Sequence, residues 1–175
     1  RWDLNENCVT GFEALIRWKH PLRGYIPPMD FIKIAEETGY INVLGRWAIL
    51  QACREALEFP GDVPIADNIS PMQFLNGDII KIVQDSLVKP GIPPHRLELE
   101  VTESIFVRDA ALARSALEQV MALGCSVALD DFGAGLSSFS YLKTIPADYL
   151  KIDGGFIRDM LNDPMDHAIV EAINN

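Results

Sequence analysis

Polar side chains with the chemistry to hold cations interrupt the most apolar stretches of this sequence. The runs are Phe12-Glu13-Ala14-Leu15-Ile16-Arg17, Leu97-Glu98-Leu99-Glu100-Val101-Thr102-Glu103 and Ala128-Leu129-Asp130-Asp131-Phe132-Gly133. Two further runs are interrupted in the same way, by Asn68 before Ile69-Ser70 and by Lys151 within Leu150-Lys151-Ile152-Asp153. A carboxylate taken out of water without a partner costs several kcal/mol or neutralises itself, so a group of them on one sheet requires cations. Oxygen donors with no His or Cys among them select hard ions, Mg²⁺ or Mn²⁺, over zinc. The adjacent Asp130 and Asp131 suit two ions, one carboxylate bridging while the other holds the second. Two ions about 3.5–4 Å apart are the usual device for activating water against a phosphodiester. Lys151 can orient that water or offset charge on phosphoryl oxygens.

The competing explanation is that these residues are strand-end caps and surface ion pairs. It serves for any one carboxylate and poorly for interruptions in five successive runs. Glu98 is the structural case, on the same side of its strand as Glu100 but nearer the start. Glycines and serines in 131–138 can cradle a phosphate on backbone N–H groups or simply form a flexible loop. His20, His95 and His167 stand in turns or at a helix start, where water accounts for them. Trp2, Trp18 and Trp47 read as core or edge packing.

The elements that must position these residues alternate. Strands are expected at Gly11–Trp18, Val63–Ser70, Leu97–Thr102, Ser126–Phe132 and Tyr149–Asp153, short apolar runs flanked by Gly, Pro and Asp. Helical patterns lie between them. One is capped by Asp30 and ended by Gly39, and one starts at Asn42. Two more run from Asp78 to Gly91 and from Asp109 to Gly124, and the last starts at Asp163-Pro164. Steady alternation of strand and helix implies parallel pairing with right-handed crossovers. No G-x-G-x-x-G follows the first strand, which weakens a dinucleotide-binding sheet against a (β/α)₈ barrel. Five strands in place of eight make the 175 residues read as the middle of an α/β, TIM-like barrel.

Composition narrows the chemistry further. Twenty-five Asp and Glu against fifteen Lys and Arg give a formal charge of −10, and 49% of residues are apolar. The apolar share is that of a globular chain, and the absence of a Lys/Arg cluster argues against a DNA-binding face. Three cysteines, far apart and odd in number, fit a reducing compartment better than a disulfide framework. No apolar run reaches the roughly 18 residues of a membrane span. A cytoplasmic protein is expected, with membrane tethering of the full-length form left open.

In order and spacing, Glu13-Ala14-Leu15 with Arg17, Asn68, Glu100-Val101-Thr102-Glu103, the Asp130–Ser138 run and Lys151-Ile152-Asp153 resemble the EAL domain. The flanking Trp18-Lys19-His20-Pro21, Phe31-Ile32 and Ala35-Glu36 are similar to it as well. The resemblance spans essentially the whole sequence and implies a TIM-like barrel that hydrolyses cyclic di-GMP (c-di-GMP) to linear pGpG. It implies that Glu13, Asn68, Glu100 and Asp130 hold one Mg²⁺ or Mn²⁺, that Asp130 and Asp131 hold a second, and that Lys151 contacts the attacking water. Arg17 would meet a substrate phosphate, and Glu103 would brace the Phe132–Ser138 loop near a dimer interface. It further implies fusion to sensory or diguanylate-cyclase-type domains.

By the same resemblance residues 1–175 are a partial domain, with one strand expected before Arg1 and two after Asn175. Asp67 stands where the family has an apolar residue, and alternation turns it away from Asn68 toward the helices. Two other functions compete with hydrolysis. A degenerate EAL domain would sense c-di-GMP or bind a protein without cleavage, and a barrel glycosidase would need only two of these acids.

Overall fold

The computed structural model describes residues 1–76, 78–133 and 145–174. Chain order opens with two short strands, β1 (Trp2–Asp3) and β2 (Cys8–Val9), followed by β3 (Phe12–Ala14) and the hairpin β4 (Trp18–His20) and β5 (Gly24–Ile26). Then come α1 (Pro28–Thr38), α2 (Ile41–Ala56), β6 (Ile65–Asn68), α3 (Pro71–Asn76) and α4 (Ile79–Val88). The remainder is β7 (Leu97–Thr102), α5 (Ile105–Arg108), α6 (Ala110–Ala122), β8 (Ser126–Phe132), β9 (Tyr149–Ile152), α7 (Gly154–Asp159) and α8 (Pro164–Asn174).

Strands β3, β6, β7, β8 and β9 form one sheet in that order, every neighbouring pair parallel. An open doubly wound sheet reverses its strand order at a switch point, whereas here order follows sequence throughout. An unreversed parallel sheet with helices between its strands is an arc of a (β/α)₈ barrel. Ile65, Ile69, Leu97, Leu99, Val101, Val127 and Leu129 face outward and pack on Ile49, Cys53, Val83, Leu117 and Val120 of the helices. The alternate residues, including Glu13, Asn68, Glu100 and Asp130, therefore face the barrel axis.

Helix ends follow the sequence closely. Gly39 closes α1 with φ 75°, a left-handed conformation in which a side chain would be strained. Asp78 accepts a hydrogen bond from the Lys81 amide at 3.3 Å, and Asp109 accepts one from Leu112 at 2.9 Å. Three expected boundaries shift clearly. The first barrel strand is only Phe12–Ala14, because Trp18 leaves the sheet to pair with Ile26 and to set its ring edge-on against Phe31 at 5.6 Å. The second is Ile65–Asn68, since Pro64 supplies no N–H and Ser70 already turns into α3. Helix α1 starts at Pro28 rather than Asp30, proline being well suited to a first turn. The three tryptophans are exposed rather than core, Trp18 meeting Phe31 ring to ring. Cys53 and Cys125 are buried free thiols, and Cys8 is exposed. Among the described residues no helix is long and apolar enough to cross a membrane.

Asp67 lies on the helical face between Ile65 and Ile69, 5% exposed, and its Oδ2 has no hydrogen-bond partner among the described residues. Burial, with smaller pushes from Glu100 and Glu13, outweighs a backbone hydrogen bond and raises its carboxyl to about 7. Because the folded value lies above the unfolded one, this group withdraws stability as pH rises from about 4 to 7. At about 1.4 kcal/mol per pKa unit the cost above pH 7 is on the order of 4 kcal/mol. Asp67→Val should therefore raise Tm by roughly 8–16 °C at pH 8, with a smaller gain at pH 4, in thermal melts run with EDTA. An unchanged gain across that range would contradict the buried-charge account.

Candidate functional site

One polar residue from each of the five barrel strands reaches a common point near the carboxyl ends. Lys151 Nζ, on β9, donates to Glu100 Oε2 of β7 at 2.7 Å and lies 3.1 Å from Asp130 Oδ1 of β8. Glu13 Oε2 of β3 stands 3.9 Å from the same nitrogen. On the far side of Glu13, Asn68 Nδ2 of β6 donates to Oε1 at 2.8 Å. The ladder pairs Asn68 directly with Glu100, so both point to the axis from adjacent strands. Parallel strands buried on both faces allow such a row only where the charges compensate one another.

They compensate incompletely. Burial raises the Glu100 carboxyl above its ordinary value; Lys151 pulls it back, and Glu13 and Asp130 push it further up. Burial likewise pulls the Lys151 ammonium down, but its bonds to Glu100 and Asp130 outweigh that and leave it above its usual value. Lys151 thus stays charged at neutral pH while Glu100, 2% exposed, shares one ammonium with two other acids.

Asp131 joins the same field by a backbone irregularity. Strict alternation after Asp130 would turn it to the helical side. The β8–β9 register instead shifts between Leu129 and Phe132, and Asp131 adopts φ 52°. A bulge of this kind re-aims a side chain, and aspartate tolerates the left-handed region better than most residues. Its carboxyl is raised by desolvation and by Asp130 and Asp153, against the pull of Lys151. Phe132 returns to the core beyond it, and Glu103 Oε1 accepts a hydrogen bond from the Gly133 amide at 3.1 Å. The expected bracing of the Phe132–Ser138 run by Glu103 falls mostly on Ala134–Ser138, which lie outside the described residues.

Arg17 stands apart from this group. It bonds the Ile16 carbonyl at 2.9 Å and lies on the wall of a cavity of about 690 Å³ that also reaches Asn68 and Glu100. Glu98 is the structural acid expected, buried and ion-paired with Arg1. Sequence reasoning assigns no role to Glu36, Ser70 or Gln73, which line the same cavity. The S-x-x-Q spacing of Ser70 and Gln73 is a visible helix-start signature.

Four acids (Glu13, Glu100, Asp130, Asp131) and Lys151 carry a formal −3. Among the described residues no three His, Cys, Asp or Glu side chains form a ready-made ion cage; Lys151 and Asn68 are interposed between the carboxylates. The donor set, all oxygen with an excess of negative charge, fits hard divalent cations.

A family model described as EAL domain matches residues 1–175. The bifunctional diguanylate cyclase/cyclic di-GMP phosphodiesterase MucR of Pseudomonas aeruginosa is 45% identical over 169 residues, covering 94% of this chain and 25% of MucR. A solved c-di-GMP complex of the MucR phosphodiesterase superposes with a TM-score of 0.86 at 43% identity, covering 94% of this chain and 68% of that one. A calcium and cyclic di-GMP complex of Klebsiella pneumoniae BlrP1 matches with a TM-score of 0.78 at 31% identity, over 97% of this chain and 42% of that one. The chain spans between 20% and 25% of the length of curated relatives such as MucR.

Lys151→Met leaves Glu100, Asp130 and Glu13 facing one another. Breaking a fully buried ion pair costs about 3–5 kcal/mol; with Lys151 partly in water, a loss of about 2–3 kcal/mol is expected at pH 8. The loss should shrink toward pH 5 as Glu100 takes up a proton. Thermal melts in EDTA across that range check it, and a pH-independent loss would contradict it.

Proposed function

The chain belongs to the EAL domain family, and on that footing we propose that it carries the centre of a phosphodiesterase hydrolysing c-di-GMP to linear pGpG. The observation that carries this reading is the convergence of Glu13, Asn68, Glu100, Asp130 and Lys151 from five successive strands. Support comes from MucR, whose name includes that activity and whose solved phosphodiesterase is a c-di-GMP complex.

In this reading Glu13, Asn68, Glu100 and Asp130 hold one Mg²⁺ or Mn²⁺, and Asp130 with Asp131 holds a second. When bound, two such ions offset phosphate charge and lower the pKa of water. Lys151, fixed by Glu100 and Asp130 and protonated at neutral pH, would have one N–H left to orient the attacking water. Asn68 donates Nδ2 to Glu13, and its Oδ1 would be the atom offered to the cation. Arg17 needs only to swing from the Ile16 carbonyl to reach a phosphate in the adjoining cavity. Glu103 holds the start of the loop after β8 by its bond to Gly133.

Residues 1–175 serve, in the same proposal, as the central part of the domain, completed by strands outside this segment. The full-length protein is a cytoplasmic or membrane-tethered homodimer fused to sensory or cyclase-type domains, with no DNA partner. The full-length protein incubated with Mn²⁺ and c-di-GMP should yield pGpG on chromatography, with EDTA abolishing it. Glu100→Gln and Asp130→Asn should each lower kcat by more than the 10–100-fold that loss of a metal-orienting partner costs. Binding of c-di-GMP without any pGpG would instead make the chain a sensor.

A further inference from the structure

Resting on that reading of Asn68, we propose that Glu36, Ser70 and Gln73 are positioning residues for Asn68, and that Gly45 is kept to seat Gln73. Asn68 is the last residue of β6 and the uncharged member of the group, so its backbone must place the side chain without help from strong ion pairing. The Ile69 amide still bonds the Glu100 carbonyl at 2.9 Å. Beyond it the chain leaves the sheet for α3, a helix of six residues, too short to fix its own start by propensity.

Side chains fix it instead. The Ser70 amide donates to Gln73 Oε1 at 3.1 Å, and the Met72 amide donates to Ser70 Oγ at 3.2 Å. Together they make a reciprocal cap. The Ser70 hydroxyl also donates to Glu36 Oε1 of α1 at 2.6 Å, a contact 34 residues away in sequence. Gln73 is 1% exposed, and its amide sits beside Gly45 of α2. A Cβ at Gly45 would come within 2.1 Å of its Nε2 and 2.6 Å of its Cδ.

A plain helix cap accounts for Ser70 and Gln73. It accounts neither for the reach to Glu36 nor for Gly45. Glycine inside a helix is destabilising relative to alanine, and Gly45 is absent from the positive-φ residues, so backbone freedom is not its use. Space for Gln73 is. Three helices are thereby tied to the chain two residues after Asn68, on the wall of the cavity that Asn68 and Glu100 share.

The test is Mn²⁺ affinity, measured by calorimetry on the metal-free full-length protein at a temperature where every variant is folded. Gln73→Ala and Gly45→Ala should each weaken Mn²⁺ binding about tenfold or more, and Gln73→Glu, which keeps the acceptor for Ser70, should restore it. Adding Gly45→Ala to Gln73→Ala should cost nothing further, because the collision is gone. Glu36→Ala, which leaves the core intact, should weaken binding severalfold even if Gly45→Ala fails to fold. Wild-type affinity in Gln73→Ala and Glu36→Ala, with only a lowered Tm, would overturn the proposal. If Asn68→Ala weakens binding in that case, the metal-site reading survives; if Asn68→Ala also binds normally, both fall.

Discussion

Lys151 meets Glu100 at 2.7 Å, Asp130 at 3.1 Å and Glu13 at 3.9 Å, and the balance of one ammonium against three carboxylates governs the sheet around it. Each strand spends one axis-facing position on this cluster, where an apolar residue would be more stabilising. The consequence is a deficit of positive charge at the carboxyl ends of the strands, which adds to burial, the larger cause, in displacing Glu100 and Asp131 upward. Water alone compensates such a deficit poorly in a half-buried cleft, whereas divalent cations compensate it well. The chain's acidity is partly the signature of this centre.

The outward face bears the stability that the axis-facing side gives up. Ile65, Leu97, Leu99, Val101, Val127 and Leu129 lock the sheet to α2, α4 and α6, so the carboxylates project from a rigid backing. Two local devices then adjust what the regular pleat cannot. The shift at Leu129–Phe132 turns Asp131 into the field of Asp130, and the cap at Ser70 fixes where β6 ends.

Much of this was legible because a parallel barrel strand should be apolar on both faces. A Glu, Asp, Asn or Lys inside one is conspicuous, and alternation assigns its side; Glu13, Asn68, Glu100, Asp130 and Lys151 were found in that way. The caps at Asp78 and Asp109 and the left-handed Gly39 were equally local and equally readable. Trp18 was misplaced at the end of the first strand because its partner, Ile26, lies across a turn that periodicity does not register. The direction of Asp131 depends on a bulge, and the use of Gly45 depends on a glutamine 28 residues later. Both are tertiary facts. Local helix propensity would, if anything, have marked Gly45 as a defect.

The account stands or falls on whether the unbalanced carboxylates take up cations as a set. Equilibrium dialysis of the full-length protein against Mn²⁺, with elemental analysis of the retained protein, counts them directly. Two Mn²⁺ per chain, falling to one in Asp131→Ala and below one in Asp130→Ala, is the predicted result. A wild-type protein that binds substrate yet retains no Mn²⁺, or a count indifferent to Asp130, would contradict it.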